Sequence, residues 1–73
     1  MKWTKEEVET ITRVCSEEFE MDYADITEGA LDFEGDILTK DIKGGYRVMS
    51  WDFDEVYYYG SLENCCKYIT GEM

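Results

Sequence analysis

The apolar residues of this 73-residue chain change their spacing twice, and that change restricts the fold more than any other feature. Val8, Ile11, Cys15 and Phe19 recur every three to four residues, which places them on one stripe of a helix. From Ala30 the pattern becomes alternation, with Leu31 and Phe33 on one side and Asp32 and Glu34 on the other. Near the end, Leu62, Cys65, Cys66 and Ile69 return to helical spacing. A helix stripe and an alternating strand each leave an apolar side that must be covered. The order helix, strands, helix therefore predicts a small two-layer α+β domain spanning residues 1–73, near the lower size limit for independent folding.

Local signals sharpen the helices. Thr4 and Glu7 have capping-box spacing, and Trp3 and Val8 flank them as a hydrophobic staple, so the first helix starts at residue 5 and runs to about Phe19 or Met21. Residues 22–29 lose periodicity and read as a connection. Ser61 caps a short final helix, which Gly71 closes.

The strands are read from parity and glycine. Leu38 and Ile42 have the opposite parity from Leu31 and Phe33. A bulge at Gly35 within one bent strand is the preferred reconciliation, and two short strands divided at Glu34-Gly35-Asp36 are the alternative. Gly44-Gly45 predicts a tight hairpin turn. That turn pairs Ile42 with Arg47, Lys40 with Met49, Leu38 with Trp51 and Asp36 with Phe53, within an antiparallel sheet of three to four short strands; Asp54-Glu55 ends the second strand of this pair, and residues 56–59 continue it or form another short strand. In this register Trp51, Phe53 and Tyr57 belong to the core, while Tyr58 joins Asp52 on the outer face.

Charge sets the class of partner. Eighteen Asp and Glu against seven Lys and Arg give a net charge of −11. Such a chain repels nucleic acid and anionic membranes and is steered towards basic surfaces. Its acidity is uneven: residues 14–39 contain no Lys or Arg but carry Glu17, Glu18, Glu20, Asp22, Asp25, Glu28, Asp32, Glu34 and Asp36, whereas Lys40, Lys43 and Arg47 gather at the hairpin. Carboxylates at alternate strand positions stand roughly 7 Å apart, similar to phosphates along a nucleic-acid strand. This acidic belt is the predicted partner-binding surface, with Tyr23 and Tyr58 as aromatic anchors.

Other chemistry has less support. There is no His, no nucleophile with a base and no glycine-rich phosphate loop, so no catalytic residue and no cofactor is expected and the chain reads as a non-enzyme. Asp32, Glu34 and Asp36 alternate as oxygen ligands do, but the twelfth position of a calcium loop begun at Asp32 is Lys43 rather than Glu. Divalent-metal binding is thus the lesser alternative, with no metal site assigned. Cys15, Cys65 and Cys66 lack zinc or disulfide-framework spacing and fit buried apolar positions, with the second of the adjacent pair partly exposed. With neither a signal-like apolar run nor a membrane span in the sequence, a cytoplasmic location is expected.

In size, charge and lack of catalytic motifs the chain is similar in type to the small acidic inhibitors that phages and mobile elements encode, some of which are DNA mimics. No residue motif carries that likeness, so no site transfers. The leading expectation is a small acidic protein that binds and inhibits a larger, basic, nucleic-acid-binding protein. The alternative is an adaptor module whose acidity serves solubility.

Overall fold

A computed structural model describes residues 3–19, 30–41 and 43–72, and of residues 16–19 the backbone alone. Helix α1 covers Lys5–Phe19, strands β1 to β4 cover Leu31–Phe33, Asp36–Lys40, Tyr46–Met49 and Val56–Gly60, and helix α2 covers Leu62–Thr70. The four strands form one antiparallel sheet in the order β1-β2-β3-β4. This is the small α+β arrangement that the spacing predicts. The predicted connection and Tyr23 lie outside the described residues.

The helix ends form as their residues dictate. The Thr4 N–H donates to Glu7 Oε1 at 2.7 Å and the Glu7 N–H donates to Thr4 Oγ1 at 3.2 Å, which closes the capping box. At α2 the Asn64 N–H donates to Ser61 Oγ at 3.2 Å. Gly71 adopts φ 81°, which lets the Glu72 N–H reach back to the Lys67 carbonyl at 2.8 Å.

The first two of the three hairpins differ from the sequence expectation in an instructive way. Glu34 has φ 55° and Gly35 φ 100°, so the two make a tight primed turn that Asp32 Oδ1 reinforces by accepting the Gly35 N–H at 2.9 Å. The preferred bent strand is therefore replaced by two strands. Leu31 faces Leu38 and Phe33 faces Asp36, and the two-residue turn alone accounts for the parity change.

At the glycine pair, Gly44 and Gly45 do different work. Gly44 takes φ 97° and donates its N–H to the Asp41 carbonyl at 3.0 Å. Gly45 instead lies against Tyr59: a Cβ there would stand 2.4 Å from the Tyr59 hydroxyl oxygen. The Asp41 N–H donates to the Gly45 carbonyl at 2.8 Å, so the loop is longer than two residues. Lys40 consequently pairs with Tyr46 rather than Met49, Leu38 with Val48 rather than Trp51, and Thr39 rather than Ile42 with Arg47. That displacement is an odd number of residues, so it turns the strand over.

The core follows from this register. Leu38 and Val48, directly opposite each other, are both fully buried beneath Ile11 and Cys15 of α1 and Cys65 and Cys66 of α2. Each such aliphatic side chain contributes on the order of 1.5–3 kcal/mol by leaving water. Cys65 and Cys66 are both buried, contrary to the expected partial exposure of one. A hydrogen bond with Cys15, with burial behind it, pushes the Cys66 thiol far above its ordinary value, and burial pushes Cys65 up to about 11.

A polar tie anchors the start of α1 to the sheet. Glu7 accepts from Lys40 Nζ at 2.8 Å and from the Tyr46 hydroxyl at 2.5 Å, while Lys40 sits 5.5 Å above the Trp3 ring, itself stacked on Tyr46. Burial pushes the Glu7 carboxyl up, but the hydrogen bonds from Lys40, Tyr46 and the Thr4 backbone outweigh it and hold the carboxyl below its usual range.

Candidate docking surface

Because the sheet is a simple meander, its connections sort to two ends. The turn at residues 34–35 and the loop at 50–55 share one end, and the loop at 41–45 lies at the other. The first end concentrates the features that set this chain apart.

Residues 50–53, expected to continue the strand up to an end at Asp54-Glu55, instead form with those two residues a cross-braced loop. The Phe53 N–H donates to the Ser50 carbonyl and the Ser50 N–H to the Glu55 carbonyl, each at 2.9 Å. Ser50 Oγ, nearly buried, donates to Asp52 Oδ1 at 2.7 Å and accepts the N–H groups of Asp54 at 3.1 Å and Glu55 at 3.0 Å. The Ser50 hydrogen bond, then that of the Asp54 N–H, lowers the Asp52 carboxyl below its usual value. Ser and Asp are the residues that capture backbone N–H groups in turns, and Ser50 with Asp52 was the signal available in the sequence.

What this brace presents is apolar. Trp51 is 73 % exposed and Phe53 54 % exposed, and Val56 and Tyr57 beside them are also exposed. Phe53 holds φ 61°, a left-handed backbone that costs a side-chain-bearing residue on the order of 1–2 kcal/mol. The core assignment of Trp51, Phe53 and Tyr57 is thus overturned: β3 ends at Met49, so Trp51 and Phe53 fall in the loop rather than in a strand, and Tyr57 lies at the register shift of β4. Tyr58, expected to face outward, is half-buried, pairs with Val48 and stacks on Tyr68 with ring centroids 5.7 Å apart.

The same end is acidic. Asp52, Asp54 and Glu55 rim the loop, and Glu34 and Asp36 stand at the neighbouring turn. Neither residues 14–39 nor residues 48–66 contain Lys or Arg. Burial, then the negative fields of Glu55, Asp36 and Asp52 among others, raises the Tyr57 hydroxyl above its ordinary value, so these carboxylates act on one place. The basic residues Lys40, Lys43 and Arg47 belong to the other end, where Asp41 and Glu7 face them.

The structure redistributes the predicted belt. Asp32 faces Ile37 while Asp36 faces Phe33, so the two carboxylates lie on opposite faces of the sheet, with Glu34 at the turn between them. They do not make the row of evenly spaced charges expected of one strand. Glu17 and Glu18 lie on α1, and Glu20, Asp22, Asp25 and Glu28 are outside the described residues. Among the described residues no group of three or more Cys, Asp or Glu is placed to hold a metal ion, and no helix is long and apolar enough to cross a membrane.

No protein-family model matches the chain, and no curated protein or solved structure matches it.

Proposed function

We propose that this chain is a non-enzymatic binding protein that docks its acidic, aromatic tip on a basic surface of a larger protein. Where that surface is a DNA or RNA site, docking inhibits by occupying it. The observation that carries the reading is the braced loop: Trp51 and Phe53 are held out to solvent, with backbone strain at Phe53, inside a rim that is wholly acidic. A folded monomer keeps large aromatics in water at a cost in solubility, and exposed aromatics ringed by charge of one sign are the usual anatomy of an interface. Strain retained at a non-glycine residue points the same way, because it persists where presentation of a side chain outweighs stability.

The experiment is affinity capture with three baits: the wild-type protein, Trp51→Ala with Phe53→Ala, and Asp54→Asn with Glu55→Gln. Neither acidic side chain of the last pair braces the loop. The expected result is a nucleic-acid-binding protein held by the wild type, lost with the aromatic variant, weakened with the neutralised one, and displaced by oligonucleotide or salt. Capture that is indifferent to both variants overturns the proposal. Capture that needs the aromatics but ignores oligonucleotide and salt removes the nucleic-acid site from it.

A further inference from the structure

The outer edge of β4 is the second feature of this surface, and it runs directly out of the braced loop. A sheet edge exposes unpaired N–H and C=O groups, and folded proteins commonly blunt it with charge, proline or brevity. β1, the other edge, is three residues long with the exposed Asp32 at its centre. β4 has five residues, Val56-Tyr57-Tyr58-Tyr59-Gly60, without charge or proline, and Val56, Tyr57 and Tyr59 are exposed. Among the described residues nothing pairs with its outer side. The one blunting device it carries is the bulge-like register shift opposite Val48 and Met49, which is confined to its tip end and leaves Tyr58 to Gly60 regularly paired with β3.

We infer that the outer edge of β4 accepts an extended basic segment of the partner as a fifth strand. Main-chain hydrogen bonds supply the pairing, and alternate side chains of the incoming strand meet Val56 and Tyr59. Its end at the tip passes Asp54 and Glu55, which select Lys or Arg there. Charge decides against the obvious competitor, a second copy of this chain, because each copy brings a net charge of −11. The basic character of the segment rests on the function proposed above, whereas the strand addition rests on the edge itself.

The test uses the full chain and three short synthetic peptides: lysine alternating with valine, the same peptide N-methylated at alternate positions along one edge, and glutamate alternating with valine. Amide exchange and chemical shifts are followed by NMR. The expected result is that the lysine peptide slows exchange of outward-facing β4 amides about tenfold or more, and that N-methylation weakens its binding by a similar factor. Equal binding of the methylated peptide, or no protected β4 amide with the lysine peptide, overturns strand addition and leaves the basic docking surface standing. Equal protection by the glutamate peptide overturns the basic partner while strand addition stands. Protection that grows with protein concentration alone assigns the edge to a second copy and overturns the proposal.

Discussion

Phe53 offers a direct measurement of whether the tip is held as described. Its φ of 61° is unfavourable for any residue with a Cβ, by about 1–2 kcal/mol, and free for glycine. Phe53→Ala and Phe53→Gly lose the same ring, so the burial lost on truncation cancels in the comparison. What remains is the left-handed strain that alanine keeps, set against the extra unfolded-state freedom of glycine, about 0.5–1 kcal/mol. At mid-range the difference leaves the glycine variant more stable by about 0.75 kcal/mol, or about 3–6 °C in Tm for a domain of this size. Thermal unfolding followed by far-UV circular dichroism reads it. Trp51 supplies the control, since its backbone lies outside the positive-φ region and alanine should there equal or exceed glycine. A Phe53→Ala protein as stable as Phe53→Gly would refute the braced left-handed loop, and with it the claim that the fold spends stability on presenting this ring.

Three further predictions concern the interior. Glu7→Gln removes the charge that Lys40 and Tyr46 share; Glu7 is 12 % and Lys40 22 % exposed in their side chains, so the loss is about 2–3 kcal/mol in urea unfolding. The pH dependence has two signs. The Glu7 carboxyl is lowered by folding, so its contribution is complete above the ordinary Glu range and fades as pH falls through the lowered value. Burial and the Glu7 hydrogen bond raise the Tyr46 hydroxyl to about 12, so its contribution is complete below 10 and fades as pH rises from 10 to 12; Tyr46→Phe should remove the alkaline limb. The thiols of Cys15, Cys65 and Cys66 are buried, burial raises that of Cys65, and the Cys15 hydrogen bond with burial raises that of Cys66, so all three should resist alkylation at mildly alkaline pH in the native protein and react once it is unfolded. Rapid native labelling at Cys65 would refute its burial.

The sequence made the helices legible because capping and apolar spacing act within a few residues. Thr4 with Glu7, and Ser61 with Gly71, specify their helix ends without reference to the rest of the chain. The sheet was harder to read because register depends on turn geometry, and both turns had plausible readings of different length. Glu34-Gly35 lacks the Asn or Asp that usually marks a primed turn, so a reversal looked like a bulge. Gly44-Gly45 looked like two positive-φ residues, whereas Gly45 is needed for the close approach of Tyr59. Each misreading was small, but the odd shift inverted the faces of β3, and the strand then ended at Met49, which left Trp51 and Phe53 in a loop on the surface instead of in the expected core. The candidate surface was legible as composition and illegible as geometry.

The sorting of the turns to opposite ends has a practical corollary. Chain can be lengthened or labelled at residues 41–45 at a distance from the tip, because the strands between transmit their register but no loop crosses over. The limit on such changes is Tyr59, which fills the space beside Gly45 and donates to Asp41 Oδ2 at 3.2 Å. A tether placed beyond that contact would hold the molecule by its basic end and leave the opposite end free to meet whatever it binds.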